Sequence, residues 1–172
     1  MGENSTKTPF VLLITGKPNS GKSTLAYELV QKHLRNVLII DGDKHREQQF
    51  LGRKMGFTRD EIMQNNEHVI KLAQFCQEQG FNVIIAQICP FKEQRWEMRK
   101  RLQNFHEVLL HCRTDVRRSR PNYIESNLEY EYDRADLALL SDDMSIRDCV
   151  SSVLKLVEKG AFERRRGRRY ES

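Results

Sequence analysis

Short apolar runs alternate along the chain with longer segments whose apolar positions recur at helical spacing. The runs cover residues 10–15, 37–40, 82–88, 107–110 and 135–140. Their near-continuous hydrophobicity is that of strands buried on both faces, so they predict a parallel sheet. The segments between them have readable helix ends. Thr58-Arg-Asp-Glu61 is a capping-box pattern, and Gly80 stands where that helix should stop. Ser145-Ile-Arg-Asp148 opens a last helix in the same way, with Gly160 expected to end it. Five strands interleaved with helices predict a doubly wound α/β domain with ligands at the carboxyl ends of the strands. In this reading residues 9–160 form the domain, between a flexible N-terminus at 1–8 and a basic, disordered tail at 161–172.

Composition narrows the picture without changing it. The chain has 172 residues, 38% hydrophobic and 31% charged, which suits one folded domain better than a disordered chain. No stretch approaches the roughly 20 apolar residues of a membrane span. The apolar run at 10–14 is too short for a signal-peptide core, so a cytoplasmic location is expected. Cys76, Cys89, Cys112 and Cys149 form no Cys-x-x-Cys pair and read as ordinary buried thiols. The formal charge is +5, from 29 basic and 24 acidic residues, and the excess is local. The last ten residues carry five arginines and two glutamates. Residues 95–120 hold eight basic side chains against three acidic, and residues 125–143 hold seven acidic against one basic.

The first run leads directly into Gly16-Lys-Pro-Asn-Ser-Gly-Lys-Ser23, which fits G-x-x-x-x-G-K-[ST] at every defined position. Gly16 and Gly21 permit backbone conformations that turn successive N–H groups toward phosphate oxygens, aided by the positive end of the following helix. Lys22 would bridge the β- and γ-phosphates and Ser23 would hold Mg2+. ATP contacts are therefore expected from Gly16, Lys17, Pro18, Asn19, Ser20, Gly21, Lys22, Ser23 and Thr24. The second strand ends in Asp41-Gly-Asp43. Asp41 there can support the metal, and Asp43 can accept the proton of an attacking hydroxyl. That pairing suggests a kinase. The chain has no Asn-Lys-x-Asp guanine signature.

With these residues the chain resembles the adenylylsulfate (APS) kinase family of P-loop kinases, over residues 9–158. The matching stretches are the phosphate loop through Thr24, Asp41-Gly-Asp-Lys-His-Arg46, Gly56-Phe57 with Asp60 and Asn65, Gly80, Ala86-Gln-Ile-Cys-Pro-Phe91 and Phe105-His-Glu-Val108. The resemblance implies a P-loop NTPase fold with a five-stranded parallel sheet and helices on both faces. It also implies transfer of the ATP γ-phosphoryl to a hydroxyl, with ATP and Mg2+ required. Asp43, Arg46, Phe57, Asn65, Ile88, Pro90 and Phe91 would line the acceptor pocket. Two departures bear on the acceptor. The family's Asn-Ile-Arg-Arg reads Asn65-Asn-Glu-His68 here, which replaces two cations by an acid and a histidine. The family's long lid is reduced to Arg120-Pro-Asn-Tyr-Ile-Glu-Ser126. An anion near Glu67 would meet repulsion where the family offers a clamp.

Arg113, Arg117, Arg118 and Arg120 follow the fourth strand, where a lid brings cations onto the transferring phosphoryl group. Arg120 is the favoured catalytic cation, Arg117 the next. The same four could instead form a solvated face or pair with the acidic stretch at 125–136. The five histidines show no metal-ligand spacing, though His45 and His68 could approach the acceptor. Trp96 is expected to pack. The leading expectation is an ATP-dependent kinase with catalytic residues Lys22, Asp41, Asp43 and Arg120, a metal site at Ser23 and Asp41, and a nucleotide-like small-molecule acceptor. The alternatives are a kinase acting on a hydroxyl in nucleic acid or on a modified nucleoside, prompted by the basic segments, and a non-catalytic nucleotide-binding module. A homodimer is compatible with this reading and a membrane partner is not expected.

Overall fold

The computed structural model describes residues 8–47, 56–121, 123 and 128–167, with the backbone alone for 159–167. Five strands, β1 (Val11–Thr15), β2 (Val37–Asp41), β3 (Asn82–Ala86), β4 (Phe105–His111) and β5 (Leu137–Leu140), form one parallel sheet in the order β2-β3-β1-β4-β5. β1 is central and every residue in it is buried. In register, Ile14 lies opposite Ala86 of β3 and Val108 of β4. The helices are α1 (Lys22–Lys32), α2 (Gly42–Glu47), α3 (Arg59–Glu78), α4 (Lys92–Arg101), α5 (Thr114–Ser119) and α6 (Ile146–Gly167).

The period-2 alternation of β1 sorts its side chains between two cores. Leu12 and Ile14 pack with Leu25 and Leu29 of α1 and with Val150 and Val153 of α6. Val11 and Leu13 pack with Val69 and Ala73 of α3 and with Met98 of α4. A sheet covered on both faces by helices leaves the carboxyl ends of β1, β2 and β3 as the place where polar groups gather.

The predicted elements are present with shifted bounds. β3 stops at Ala86, two residues short of the expected end, because the chain leaves the sheet toward Cys89, whose φ is +42°. β5 starts at Leu137, two residues late. The capping box at α3 forms: Thr58 Oγ1 accepts from the Glu61 N–H, and the Glu61 carboxylate accepts from the Thr58 N–H. Gly80, at φ +87°, follows the end of α3. Gly160 does not end α6, whose backbone runs on to Gly167, so the first part of the expected disordered tail is helical. A single glycine costs a helix only about 1 kcal/mol, and the alanine and arginines beyond it favour continuation. Residues 168–172 lie outside the described residues. Trp96 does not pack: it is 58% exposed, with the Lys100 Nζ 3.6 Å from its ring centroid. The buried positions of α4 are Gln94, Arg95 and Met98, which puts Trp96 on the outer face. No described helix is long and apolar enough to cross a membrane.

Candidate active site

The phosphate loop joins the end of β1 to the start of α1. Gly16 has φ +140°, and a Cβ there would lie 2.4 Å from the Leu110 carbonyl oxygen, so only glycine fits. Gly21 caps α1 in the left-handed region at φ +96°. The carbonyls of the loop are held by side chains from elsewhere. Arg117 donates to the Pro18 carbonyl at 3.4 Å, Arg120 to that of Asn19 at 2.8 Å and Ser141 to that of Ser20 at 2.7 Å. The Asn19 amide donates back to the Pro121 carbonyl. The loop is therefore braced before any phosphate arrives. Lys22 donates to the Lys17 carbonyl at 2.8 Å. Burial pushes the Lys22 ammonium down to about 8, against the opposing pull of Asp43 and Asp41. The Ser20 hydroxyl is buried with no partner among the described residues.

Asp41 ends β2 and meets the loop. Its Oδ2 accepts from Ser23 Oγ at 2.7 Å, and its Oδ1 accepts from the Asp43 and Lys44 N–H groups that open α2. The carboxylate is thus fixed by the backbone while one oxygen lies beside the serine hydroxyl. Hard oxygen donors from Ser23 and Asp41, with room for phosphate and water oxygens, suit Mg2+, which seldom takes an all-protein cage. Among the described residues no cluster of three or more His, Cys, Asp or Glu could hold a metal. Asp43, the second residue of α2, is exposed and close enough to Lys22 to raise its proton affinity.

The residues expected at the acceptor fall around α2, the start of α3 and the turn after β3. Arg46 donates to the Gly56 carbonyl at 2.6 Å, and its guanidinium lies 4.5 Å from the centroid of the exposed Phe57 ring. Asn65 is fully buried, and its Oδ1 is 2.9 Å from His45 Nδ1. His45 Nε2 is 2.9 Å from His68 Nδ1, so both histidines join this group. Ile88 is half-buried and its carbonyl accepts from Thr15 Oγ1, which leaves the buried Tyr130 hydroxyl to donate to Thr15 at 2.9 Å. The Pro90 carbonyl accepts from the Glu131 N–H, and Phe91 is buried beneath the Arg59 guanidinium. Cys89 is a buried thiol as expected, pushed up to about 12 by burial, and the Asn66 amide lies 3.5 Å from its sulfur. Glu67 is turned away from this group. It faces α4, where Arg101 bonds its carboxylate, and Lys71 lies 3.5 Å away.

The arginines after β4 neither form a solvated face nor pair with the acidic stretch as a set. Arg113 pairs with Asp142 at 2.7 Å. Arg117 is buried, bonding Thr114 and the Cys112 carbonyl as well as Pro18. Arg117 and Arg120 of this set bond carbonyls of the phosphate loop. The basic side chains of α4 are largely spoken for: Arg95 forms a buried pair with Glu107 at 3.0 Å, and Arg99 pairs with Glu107 and Asp136. The expectation missed a cavity of about 280 Å3 beside the phosphate loop, lined by Thr24, Arg120, Ser141, Met144, Ile146 and Cys149 among others. Its walls come from the loop and α1, from β4, from the residue that follows α5, and from the β5–α6 connection with the start of α6, and no local motif marks residues that converge from four distant segments.

Known proteins resemble the chain in sequence and in fold. The chain is 32% identical over 111 residues to a probable adenylyl-sulfate kinase of Bacillus subtilis, covering 62% of this chain and 55% of that protein. It is also 32% identical over 107 residues to the cytidine diphosphoramidate kinase of Campylobacter jejuni, covering 60% of this chain and 61% of that one. The chain thus spans little more than half the length of these relatives. The structure of the Mycobacterium tuberculosis APS kinase CysC in complex with AMPPNP and APS superposes with a TM-score of 0.73 at 24% identity, covering 88% of this chain and 98% of that one, a likeness of fold. A family profile described as adenylylsulphate kinase matches residues 8–123. With two thirds of its length inside that profile, and the sheet order and phosphate loop of a P-loop NTPase, the chain belongs to the adenylylsulphate kinase family.

Proposed function

We propose that the protein is a cytoplasmic, ATP-dependent kinase that phosphorylates a hydroxyl of a nucleotide-like small molecule. The observation that carries this reading is the meeting of Ser23, Asp41, Lys22 and Asp43 at one end of the sheet, where Ser23 bonds Asp41 at 2.7 Å and Asp43 acts on Lys22. Lys22 and the loop amides bind the ATP phosphates, and the cavity beside the loop takes the nucleoside end. Mg2+ held by Ser23 and Asp41 would offset phosphate charge during transfer. Asp43 takes the proton of the acceptor hydroxyl. Arg120, already on the loop at Asn19, releases that carbonyl to meet the transferring phosphoryl group. The internal pairing of Arg95, Arg99 and Arg101 favours a small acceptor over a nucleic acid, because those cations are committed to the fold.

ADP release measured with adenylyl sulfate, cytidine diphosphoramidate and a set of hydroxylated nucleotides tests this. Acceptor-dependent turnover that Lys22→Ala abolishes is the expected result. No acceptor-dependent turnover, with Lys22→Ala indistinguishable from the parent, overturns it.

A further inference from the structure

Between α2, α3 and the turn after β3 lies a buried polar network with no part in phosphoryl transfer itself. His45, Asn65, Asn66 and Gln87 are 7%, 0%, 3% and 5% exposed. The Asn65 Oδ1 can only accept, so His45 Nδ1 donates to it; in a neutral ring His45 Nε2 then accepts from His68 Nδ1. A second chain runs from Gln87 Nε2 to Asn66 Oδ1 at 2.8 Å, and from Asn66 Nδ2 to the Cys89 sulfur. Each chain retains one buried atom with no partner among the described residues: a donor, Asn65 Nδ2, and an acceptor, Gln87 Oε1. Native interiors rarely leave such atoms unpaired, and a functional role is one of the reasons a protein retains them.

The network occupies the stretch where the family's pattern places two arginines, and its chemistry differs. An arginine pair offers donors and fixed positive charge. Here Glu67 is turned away to Arg101, burial and the neighbouring His68 and Arg46 hold His45 below its ordinary pKa, and Arg46 is engaged with Gly56 and Phe57. What remains in place of two guanidiniums is a set of imidazole and amide groups, with one buried donor and one buried acceptor that have no partner among the described residues.

We infer that Asn65 and Gln87, oriented by the His45–His68 pair and Asn66, determine acceptor specificity, selecting a phosphoryl group that bears an N–H or O–H donor over a sulfate. The sulfate of a phosphosulfate anhydride can satisfy Asn65 Nδ2 but has no hydrogen for Gln87 Oε1. An amidated phosphoryl group supplies both. A site built to hydrogen-bond a substrate N–H rejects an analogue that lacks it, because its own buried group is then left unpaired. The inference rests on the kinase reading for the location of the acceptor.

Calorimetric titration of acceptors into protein saturated with Mg2+ and AMPPNP tests it. Adenosine 5′-diphosphoramidate and adenylyl sulfate form a matched pair with the same base and chain length. The amidate should bind at least about tenfold more tightly, the effect of one buried hydrogen bond to a charged ligand. Gln87→Leu should bring the ratio near one, and His68→Arg, at a half-buried position, should move it toward the sulfate. The AMPPNP affinity of each variant reports whether it has folded. Equal or tighter binding of the sulfate to the parent, or binding of neither acceptor, overturns the inference. Turnover is scored separately: the predicted preference without ADP release defeats the kinase reading alone, while turnover of the sulfate in preference to the amidate defeats this inference alone.

Discussion

Lys22 shows how one position joins sequence to mechanism. The motif places it at the first residue of α1, and burial then pushes its ammonium down to about 8. Below that pH the group is charged and attracts phosphate; above it the charge is lost. Nucleotide affinity should therefore weaken as pH rises past about 8, and binding above that pH should take up protons, because bound phosphate favours the charged form. Titration calorimetry in buffers of different ionisation enthalpy measures both, and Lys22→Arg, which stays charged, should flatten the profile. Asp43 has the opposite character. It is exposed, so its substitution should leave the fold intact while Asp43→Asn lowers kcat by roughly 10²- to 10⁴-fold, as loss of a general base does. Steady-state kinetics with the best acceptor checks this. At Asp41 the roles overlap, since the same carboxylate caps α2 and meets Ser23.

At the scale of elements, α5 separates two arginines that look alike in the sequence. Arg117 lies on the inner face and bonds two carbonyls and Thr114. Arg120 stands at the C-cap with its guanidinium on the Asn19 carbonyl. Arg117→Ala should lower unfolding free energy by about 1–3 kcal/mol, since it leaves buried acceptors unsatisfied. Arg120→Ala should reduce kcat by up to roughly 10³-fold, with a smaller effect on unfolding. Urea unfolding beside kinetics separates the two. The segment from residue 128 adds a second brace, because Tyr130 bonds Thr15, whose own hydroxyl bonds the Ile88 carbonyl. The end of β1, the acceptor turn and this segment are thereby tied at one buried point.

Over the whole molecule, part of the basic excess that suggests a nucleic-acid partner is paired within the fold. Cations of α4 meet Glu107 and Asp136 of the β4–β5 region and Glu67 of α3. Charges held in such pairs are not free to release counterions from a phosphate backbone. Filter binding should accordingly show no retention of single- or double-stranded DNA at physiological ionic strength, and retention that persists there would revive the nucleic-acid reading.

The strands, their parallel pairing, the phosphate loop and the Asp41–Asp43 pair were legible in the linear chain because each depends on local rules: buried runs, glycines in a fixed spacing, a cap three residues from its partner. Element ends were less so; Gly160 carried the signal of a stop that α6 overrides with favourable helix formers around it. What only the tertiary structure decided is which polar residues meet. Glu67 and His68 are neighbours in sequence, yet helical geometry sends one to Arg101 and the other to His45. The cavity beside the loop, the bracing of its carbonyls and the Gln87–Asn66 contact likewise join residues from distant segments. Periodicity assigns a residue to a face, but the partner on that face is set by how helices and strands pack.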